Sequence, residues 1–463
     1  MKLTHIGHAC LLAETQGVRI LSDPWWKGPC FGSQWWIYPP PDLDPLMHGE
    51  IDYIYISHGH EDHFHLPTLR TLDRSARLLV TRGAGFAREA RALGFEVIEI
   101  AGDEARDLGR GLRCRIVPTY GGDTFMTLTD GQETLVNLND ALHPAPAYAR
   151  RKFTRLLRRL HPVIDYLFCG HGVASHFPNC YVVPGKDREA TARKRQLFFN
   201  HSWADIVQAL EPRFAFPFAA DVVLLEDELQ WTNEPVHNTT RPPDVFRERN
   251  PKSKTAVFDI GCGFSISDGR VLHARLHEPL RLADVQVRYP DRISQANRYG
   301  SVREDALEDV RQRLHQSIRS RRDFFAAFPR DYEILVRLRG SGRGLAIRKA
   351  GTDIRVEPIA DVSATGAHHD LVFTTKLAYL QRSLSTRHGN DLLFVGSGGV
   401  FEYSSRDALA QNLHEELMAM VSPFSATGSR VTRSLKSLVK RLSQRDDLDL
   451  YNAARWTVFQ GGD

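Results

Sequence analysis

Short apolar segments alternate with polar turns along the first half of the chain. Residues 2–22 carry apolar runs interrupted at Gln16-Gly17, which is typical of short strands, and residues 76–101 predict a strand, a helix and a strand. After a hairpin turn at Asp130-Gly131 the alternation resumes, with a helix rich in Arg and Leu over residues 147–160. Two halves of this kind predict an α/β fold, an αββα sandwich, with the functional site at the loop edge where the sheets meet.

The pattern changes near residue 278. Residues 278–304 are polar and contain two prolines, residues 306–328 predict a long helix, and residues 333–338 predict a strand. We therefore predict a domain boundary here, with a first domain over 1–278 and a smaller α+β domain over 279–463.

One segment near the end of the chain is amphipathic. Residues 430–445 space Val and Leu at helical intervals with Arg and Lys between them, which predicts either a docked terminal helix or a helix on a membrane surface. No run approaches the roughly 20 apolar residues of a membrane-spanning helix, and residues 1–5 lack the layout of a secretion signal. We expect a cytoplasmic protein without a membrane partner.

The composition is that of an ordinary globular protein. The chain has 463 residues, of which 42% are hydrophobic and 25% charged, so it can bury a large core. A net charge of +4 is too small for this length to indicate a nucleic-acid partner. The six cysteines form no Cys-x-x-Cys pair, which favours buried thiols over disulfides or a zinc ribbon. A small-molecule substrate fits this composition, and so does a homo-oligomer.

The candidate chemistry begins directly after an apolar strand, residues 51–56. The loop that follows places three histidines and one aspartate within six positions, namely His58, His60, Asp62 and His63. Neutral imidazoles and carboxylates are ligands of zinc or iron. Four such residues at this spacing rarely arise for packing alone, so the loop predicts a metal site rather than a solvated histidine cluster.

The pattern His-x-His-x-Asp-His after a hydrophobic strand resembles the motif of the metallo-β-lactamase superfamily. The resemblance implies a site for two metal ions, in which His58 and His60 bind the first ion while Asp62 and His63 bind the second. It also implies that Asp23, at the end of an early strand, orients loops rather than binding metal.

A narrower resemblance covers scattered blocks of the first 270 residues. Residues 23–29, 58–69 and 214–219 resemble the β-lactamase-like part of CMP-N-acetylneuraminate hydroxylases. Those animal enzymes also carry a Rieske domain, and this chain lacks its paired Cys-x-His and Cys-x-x-His ligands. Residues 333–403 resemble sterol-carrier-like modules, which serve either as an apolar pocket or as scaffolding.

The superfamily resemblance implies further ligands, and the chain supplies only some of them. Asp140 ends an apolar strand and is the candidate bridging ligand, with a helix N-cap as the other reading. The usual third histidine of the first ion is missing from residues 114–120, so Tyr120 or Asp123 takes its place, the ligand comes from elsewhere, or one ion is held loosely. We name Asp62 and Tyr120 as candidate catalytic residues.

The last histidine ligand of the superfamily has two candidates here. His171 and His176 both follow an apolar strand, and either is a ligand or a hydrogen-bond donor to one. Asp221 offers a carboxylate near the end of a later strand, and His201 and His237 are reserves.

Four tryptophans lie close together in the sequence: Trp25, Trp26, Trp35 and Trp36. Further aromatic and proline residues surround them. This loop either walls a substrate pocket or packs as an aromatic plug beneath the C-terminal domain.

A site of this kind supports two reactions. A metal-activated hydroxide hydrolyses an ester, lactone or phosphodiester, whereas two redox-active irons activate O2. Because the histidine set is depleted and one resemblance is to hydroxylases, we favour a diiron oxygenase or oxidase, with two iron ions as cofactor. A zinc-dependent or other metal-dependent hydrolase is the alternative, and a non-catalytic binding protein is the second.

Overall fold

The computed structural model describes residues 1–424 except 43, 45–48, 120–121, 173–175, 177, 327–329, 364–367, 406–407, 410 and 412. Tyr120 and the amphipathic segment 430–445 lie outside the described residues.

The first sheet is mixed. Across it, the strands are β18 (Arg270–His273), β17 (Ser265–Ser267), β1 (Lys2–Gly7), β2 (Cys10–Thr15), β3 (Val18–Ser22), β5 (Tyr53–Tyr55), β6 (Arg77–Thr81) and β7 (Val97–Ile100). Pairing is antiparallel from β18 to β3 and parallel from β3 to β7. Every residue of β5 is buried, as expected of a parallel strand covered on both faces.

The second sheet is built from the middle of the chain. Across it, the strands are β16 (Ala256–Val257), β14 (Phe214–Phe218), β12 (Tyr166–Gly170), β11 (Thr134–Asn139), β10 (Thr124–Thr129), β9 (Arg113–Pro118) and β8 (Arg106–Asp107). Strands β11, β12, β14 and β16 run parallel, so their carboxyl ends meet at one edge.

The two sheets pack face to face with helices outside. Leu11 and Tyr55 of the first sheet share one apolar core with Met126 and Phe168 of the second. The helices of this part are α1 (Leu66–Leu69), α2 (Ala87–Ala92), α3 (Ala147–Leu160), α4 (Arg188–Leu210), α5 (Asn233–His237) and α6 (Pro242–Arg249). Helices α1 and α2 cover the first sheet, and α3, α4 and α6 cover the second. The predicted αββα sandwich is confirmed.

A third sheet follows in the C-terminal part. Across it, the strands are β13 (Tyr181–Val182), β23 (Gly399–Tyr403), β22 (Leu371–Thr375), β19 (Tyr332–Leu338), β20 (Gly344–Ala350) and β21 (Asp353–Ile359). The associated helices are α9 (Glu304–Ser320), α10 (Arg322–Ala326), α11 (Leu377–Ser385), α12 (Asp391–Phe394) and α13 (Leu413–Val421). The predicted smaller α+β region is confirmed, while the boundary at residue 278 stays a prediction.

The two parts of the chain share structure. Strand β13 comes from the first half of the chain yet pairs with β23, and Trp25 and Trp35 lie in the same apolar core as Phe373 and Phe401. The polar stretch 278–304 carries α7 (Leu282–Arg288) and α8 (Pro290–Ala296), which pack beside a short sheet of β4 (Trp35–Ile37) and β15 (Val222–Leu224). A 3₁₀ turn spans Gln230–Thr232.

Among the described residues, we find no helix with the length and apolar character needed to span a membrane. A cytoplasmic location stays a prediction.

Candidate metal centre

The His-rich loop leaves the centre of the first sheet between β5 and α1. His65 caps α1 by accepting a hydrogen bond from the backbone N–H of Thr68, and Pro67 occupies the first turn. The other nitrogen of His65 lies 3.1 Å from the carbonyl oxygen of Pro29. His65 is therefore held as a structural residue at the end of the loop.

Asp23 braces the start of the loop. Its carboxylate accepts hydrogen bonds from the backbone N–H and the hydroxyl of Ser57, each at 2.8 Å, and from Nδ1 of His63 at 3.0 Å. Asp23 is fully buried. With Nδ1 donating to Asp23, the Nε2 atom of His63 faces the interior of the site as a potential metal ligand.

Two groups of potential ligand atoms meet at His63. His58, His63 and Asp140 form the first group, and His8, Asp62 and His63 form the second; within each group the ligand atoms lie within 4.8 Å of one another. Nε2 of His63 is 3.3 Å from Asp140 Oδ2 and 3.4 Å from Asp62 Oδ2. The structure thus brings two adjacent ion-sized groups together, with His63 between them.

His60 lies beside the first group. Its Nδ1 atom is 2.8 Å from Nε2 of His58, and the two rings meet edge to face. The predicted residues His58, His60, Asp62, His63 and Asp140 are therefore all brought to one place.

Several buried atoms of the cluster have no hydrogen-bond partner: His8 Nδ1, Asp62 Oδ1, His63 Nε2 and Asp140 Oδ1. An unsatisfied buried polar atom costs about 1–3 kcal/mol, and more when it is charged. Imidazole nitrogens and carboxylate oxygens that lie unpaired in one place are suitable ligands for divalent metal ions of the zinc and iron class.

The electrostatics of the cluster agree with this chemistry. Burial disfavours the charged form of His63, but Asp62, Asp23 and Asp140 outweigh it and raise its pKa well above the ordinary 6.5. Burial likewise works against the ionised carboxylates, yet His63 lowers the pKa of both Asp62 and Asp140. Burial and the neighbouring His63 lower the pKa of His58 to about 4. The carboxylates are ionised and ready to bind a cation.

Two further ionisable residues, Asp123 and His143, lie next to the candidate ligands. Asp123 Oδ1 approaches Nδ1 of His58 to 4.0 Å, and burial followed by the field of Asp140 raises the pKa of Asp123. His143 bonds the carbonyl oxygen of Gly172 through Nε2, and its buried Nδ1 has no hydrogen-bond partner. A Cβ at Gly170 would lie only 2.8 Å from that Nδ1, so only glycine fits there.

Sequence reasoning assigned no role to His8 or His143. His8 follows β1 with a φ of 48°, and its Nε2 lies 3.1 Å from Asp62 Oδ2. A histidine in a turn after an apolar strand is the only local signal, and it does not distinguish a ligand from a buried structural residue.

The other predicted histidine ligands, His171 and His176, lie outside the two groups of ligand atoms. Nδ1 of His171 contacts the side chain of Asn200, and the ring of His176 packs among aromatic residues of the third-sheet core, including Phe394 and Phe401. Within the described part of the chain, neither histidine joins a group of convergent ligand atoms. The reserve His201 is exposed beside Arg249, and His237 bonds the carbonyl oxygen of Val222.

The four predicted substrate-binding tryptophans are all buried. Trp25 and Trp35 pack in the core beneath the third sheet, Trp26 lies under α1 and α2, and Trp36 packs against Tyr289. The rings of Trp25 and Trp35 also meet His8 edge to face, at centroid distances of 5.1 and 6.5 Å. These two rings border the cluster of candidate metal ligands.

The chain resembles several known proteins. Residues 2–156 match the family described as the Beta-lactamase superfamily domain. A Rieske-named iron–sulfur protein of Mycobacterium tuberculosis is 29% identical over 264 residues, covering 54% of this chain and 49% of that protein. Cytidine monophosphate-N-acetylneuraminic acid hydroxylase of Danio rerio is 45% identical over 75 residues, covering 16% of this chain and 12% of that protein. The chain thus spans about half the length of the first of these relatives.

Two solved structures show a more distant likeness. Igni18, a metallo hydrolase of Ignicoccus hospitalis, is 16% identical with a TM-score of 0.40 and covers 57% of this chain and 97% of its own. CmlA, a diiron β-hydroxylase of Streptomyces venezuelae, is 18% identical with a TM-score of 0.39 and covers 57% of this chain and 53% of its own.

Proposed function

We propose, from the metallo-β-lactamase fold domain that this chain contains, that the protein is a dinuclear metal enzyme and specifically a non-haem diiron oxygenase or oxidase. Its substrate is a small molecule, with O2 as co-substrate. Neither nucleic acid nor a membrane is a partner, and a homo-oligomer is compatible with the proposal.

One observation carries the choice of iron. Asp123 presents a carboxylate 4.0 Å from His58, where the superfamily resemblance implies a histidine. Together with Asp62 and Asp140 it makes the site rich in carboxylates, and mixed carboxylate–imidazole sets are typical of non-haem iron. Two iron ions, when bound, supply the electrons that activate O2.

The chain's own residues hold and orient the ligands. His58, His60 and Asp123 would hold one ion, Asp62, His63 and His8 the other, and Asp140 both. Asp23 accepts the Nδ1 proton of His63 at 3.0 Å and thereby keeps Nε2 free for metal. Because the pKa of Asp62 lies well below its usual range, Asp62 acts as an ionised ligand rather than as a proton donor.

One side of the cluster is shielded from water, whereas the side chains of Asp123 and Asp140 on the other side are 22% and 14% exposed. His58, Asp62 and His63 are each at most 6% exposed, and the rings of Trp25 and Trp35 border the cluster beside His8. An aromatic wall on one side of the cluster would limit side reactions at an oxidising centre, which supports the oxygenase over the hydrolase.

A hydrolase remains the second candidate because of His8. With Asp62 and His63 it completes a group of two imidazoles and one carboxylate, which is also a zinc-binding set in hydrolases.

The test is metal analysis of protein expressed with both iron and zinc and purified without oxygen. We expect about two irons per chain, as in other two-metal sites, and O2 consumption when substrate candidates are supplied. About two zincs per chain together with turnover of esters, lactones or phosphodiesters would establish the hydrolase instead.

A variant sharpens this test. Asp123→His restores the histidine-type set and is expected to shift the bound metal from iron toward zinc, whereas Asp103→His, on an exposed loop, should leave the ratio unchanged. An unchanged ratio in Asp123→His would contradict the role given to Asp123.

A further inference from the structure

A small polar cavity lies beside the cluster of candidate metal ligands, at the carboxyl ends of β12 and β14. It has a volume of about 50 Å³ and is bordered by α4, α5, the short sheet of β4 and β15, and the turn before β23. The residues that matter for its chemistry are His171, His237, Asp221, Arg241, Trp35 and Ser397. His171 and His237 are 1% and 6% exposed, and each has one ring nitrogen without a hydrogen-bond partner.

The hydrogen bonds around His171 determine which of its nitrogens carries the proton. The amide nitrogen of Asn200 donates to the carbonyl oxygen of Thr240 at 2.7 Å, which turns the Asn200 Oδ1 atom toward Nδ1 of His171 at 3.3 Å. Gln196 Nε2 also approaches Nδ1 of His171 to 3.4 Å, but it donates its two N–H bonds to that same Oδ1 and to the His171 carbonyl oxygen, at 2.8 Å each. Nδ1 of His171 therefore bears the proton, and its unpartnered Nε2 is a hydrogen-bond acceptor.

His237 has the opposite tautomer, and it too is left with an acceptor nitrogen that has no partner. Its Nε2 lies 2.5 Å from the carbonyl oxygen of Val222, which can only accept, so Nε2 bears the proton. The unpartnered Nδ1 is then also an acceptor. It lies 3.7 Å from Oδ1 of Asp221, which accepts from Arg241 at 3.2 Å, so Nδ1 of His237 faces a second acceptor.

The charges around the cavity favour a positive ligand. Arg241 donates to both oxygens of Asp221, at 3.2 and 3.4 Å, and to Asp259 at 2.9 and 3.0 Å. Two carboxylates thus face one guanidinium. The acceptor nitrogens Nε2 of His171 and Nδ1 of His237 also have no hydrogen-bond donor in the protein. A ligand with several donors would satisfy them.

A metal ion fits this cavity less well than it fits the His-rich loop. In the part of the chain that the structure describes, the groups whose ligand atoms all converge within 4.8 Å belong to the loop, and the set of His171, His237 and Asp221 is not among them. Direct coordination of one metal ion therefore does not account for these three side chains.

We propose that this cavity binds the ammonium group of a small primary amine. Its three N–H bonds would donate to Nε2 of His171, Nδ1 of His237 and the carboxylate of Asp221. One water takes about 30 Å³ of liquid, so about 50 Å³ accommodates an ammonium group with one attached carbon. Trp35 borders the cavity, and an aromatic face attracts a cation.

The cavity also suggests a substrate class, a step that rests on the proposed function. Trp35 borders both the cavity and His8 of the metal cluster, and Gly172 lines the cavity while its carbonyl oxygen bonds His143. These shared residues place the cavity next to the candidate ligand cluster. The substrate class that the two sites together suggest is then small primary amines.

Calorimetric titration with methylammonium chloride tests the binding site. We expect saturable binding to the wild-type protein and a dissociation constant raised about tenfold or more in His171→Leu and in His237→Phe, because each loses a hydrogen bond to a charged group. His201→Phe, at an exposed histidine, is the matched control and should bind like wild type. Sodium chloride and methanol at the same concentrations should give no saturable heat.

Two results would overturn the proposal. Absence of saturable methylammonium binding would mean that the cavity holds water only, and equal affinity in folded His171→Leu and His237→Phe would place the binding elsewhere. Thermal unfolding checks that at least one of the two variants folds. Repeating the titration after chelation separates the two proposals: binding that persists in metal-free protein supports the cavity whatever the metals prove to be.

Discussion

The His-rich loop and the Glu416 cluster of the third-sheet region both bury charged side chains, but they satisfy them in different ways. Glu416 is 3% exposed, and its carboxylate accepts hydrogen bonds from Arg330 at 2.6 Å, Tyr332 at 2.9 Å and Lys349 at 3.0 Å. Lys349 also donates to the carbonyl oxygen of Phe325 at 3.0 Å. Both oxygens of this carboxylate have partners within the protein.

The cluster at the His-rich loop contains buried polar atoms without hydrogen bonds, whereas the Glu416 carboxylate is fully hydrogen-bonded. Asp62 Oδ1, Asp140 Oδ1 and His63 Nε2 are buried without a hydrogen-bond partner, although donors and acceptors surround them. A closed network stabilises a fold by itself, whereas an open set of ligand atoms needs a further ion. The difference separates a structural ion cluster from a candidate metal centre without reference to any other protein.

The largest expected effect is on metal and activity in His60→Ala. Removing a proposed ligand should lower metal affinity and activity by more than the roughly 100-fold that marks loss of a supporting residue. The fold should remain, with a free energy of unfolding of the metal-free protein within about 1 kcal/mol of wild type, since the half-buried His60 is not part of the core. Metal analysis and urea unfolding measure both, with exposed His388→Ala as control. A fully metallated, active variant would refute the assignment.

Glu416→Leu should lower the stability of the protein and leave its metal content unchanged. It leaves Lys349 buried without its carboxylate partner and should lower the free energy of unfolding by about 3–5 kcal/mol. Metal content per folded chain should not change. Urea unfolding with metal analysis checks this, and Glu415→Gln, at the exposed neighbouring position, should be close to neutral. Loss of metal from folded Glu416→Leu would show that the two clusters are not independent.

Asp23→Asn should weaken the metal centre without removing a ligand. The amide has one acceptor oxygen, so it cannot accept from the Ser57 backbone N–H on one side and from the Ser57 hydroxyl and His63 on the other, and His63 loses its fixed orientation. We expect metal affinity to fall about 10–100-fold, as for other partners that orient ligands. Competition with a chromogenic chelator measures this, and exposed Asp52→Asn serves as control. Unchanged affinity would mean that Asp23 is only a structural residue.

The smallest expected effect is a pH dependence that appears when metal is removed. In metal-free protein the pKa of His63 is raised above 6.5, so its stabilising contribution is complete below that pH and is lost as the pH rises through the folded-state pKa. The unfolding free energy should then fall by up to about 1.4 kcal/mol per pH unit. Metal-loaded protein should lack this decline because its His63 is neutral and bound to metal. Urea unfolding from about pH 6 to pH 9 measures it, and a decline that persists in His63→Gln would contradict the assignment.

Much of the candidate centre could be predicted because it is local in sequence. His58, His60, Asp62 and His63 lie on one loop after one strand, so their chemistry is visible without any tertiary information. Asp140 could be predicted because the end of a buried parallel strand delivers its side chain to the loop edge of a sheet.

Other parts could not be predicted because they depend on which loops meet. His171 and His176 are five positions apart, yet one bonds Asn200 and the other packs beside Phe394 of the C-terminal part. His8 is as ordinary in sequence as any turn histidine, and its contact with Asp62 exists only because β1 and the His-rich loop end at the same place.

The sequence by itself determined the αββα class, the loop that carries the candidate metal ligands and the carboxylate at residue 140. These depend on hydrophobic periodicity and on ligand spacing along a single segment. Only the tertiary structure decided that His8 and Asp123 join this loop, that His171 faces Asp221 and His237 across a separate cavity, and that Trp35 borders both. The reason is physical: ligand sets and tautomers depend on distances of 3 to 4 Å between side chains far apart in the chain, which sheet packing alone brings together.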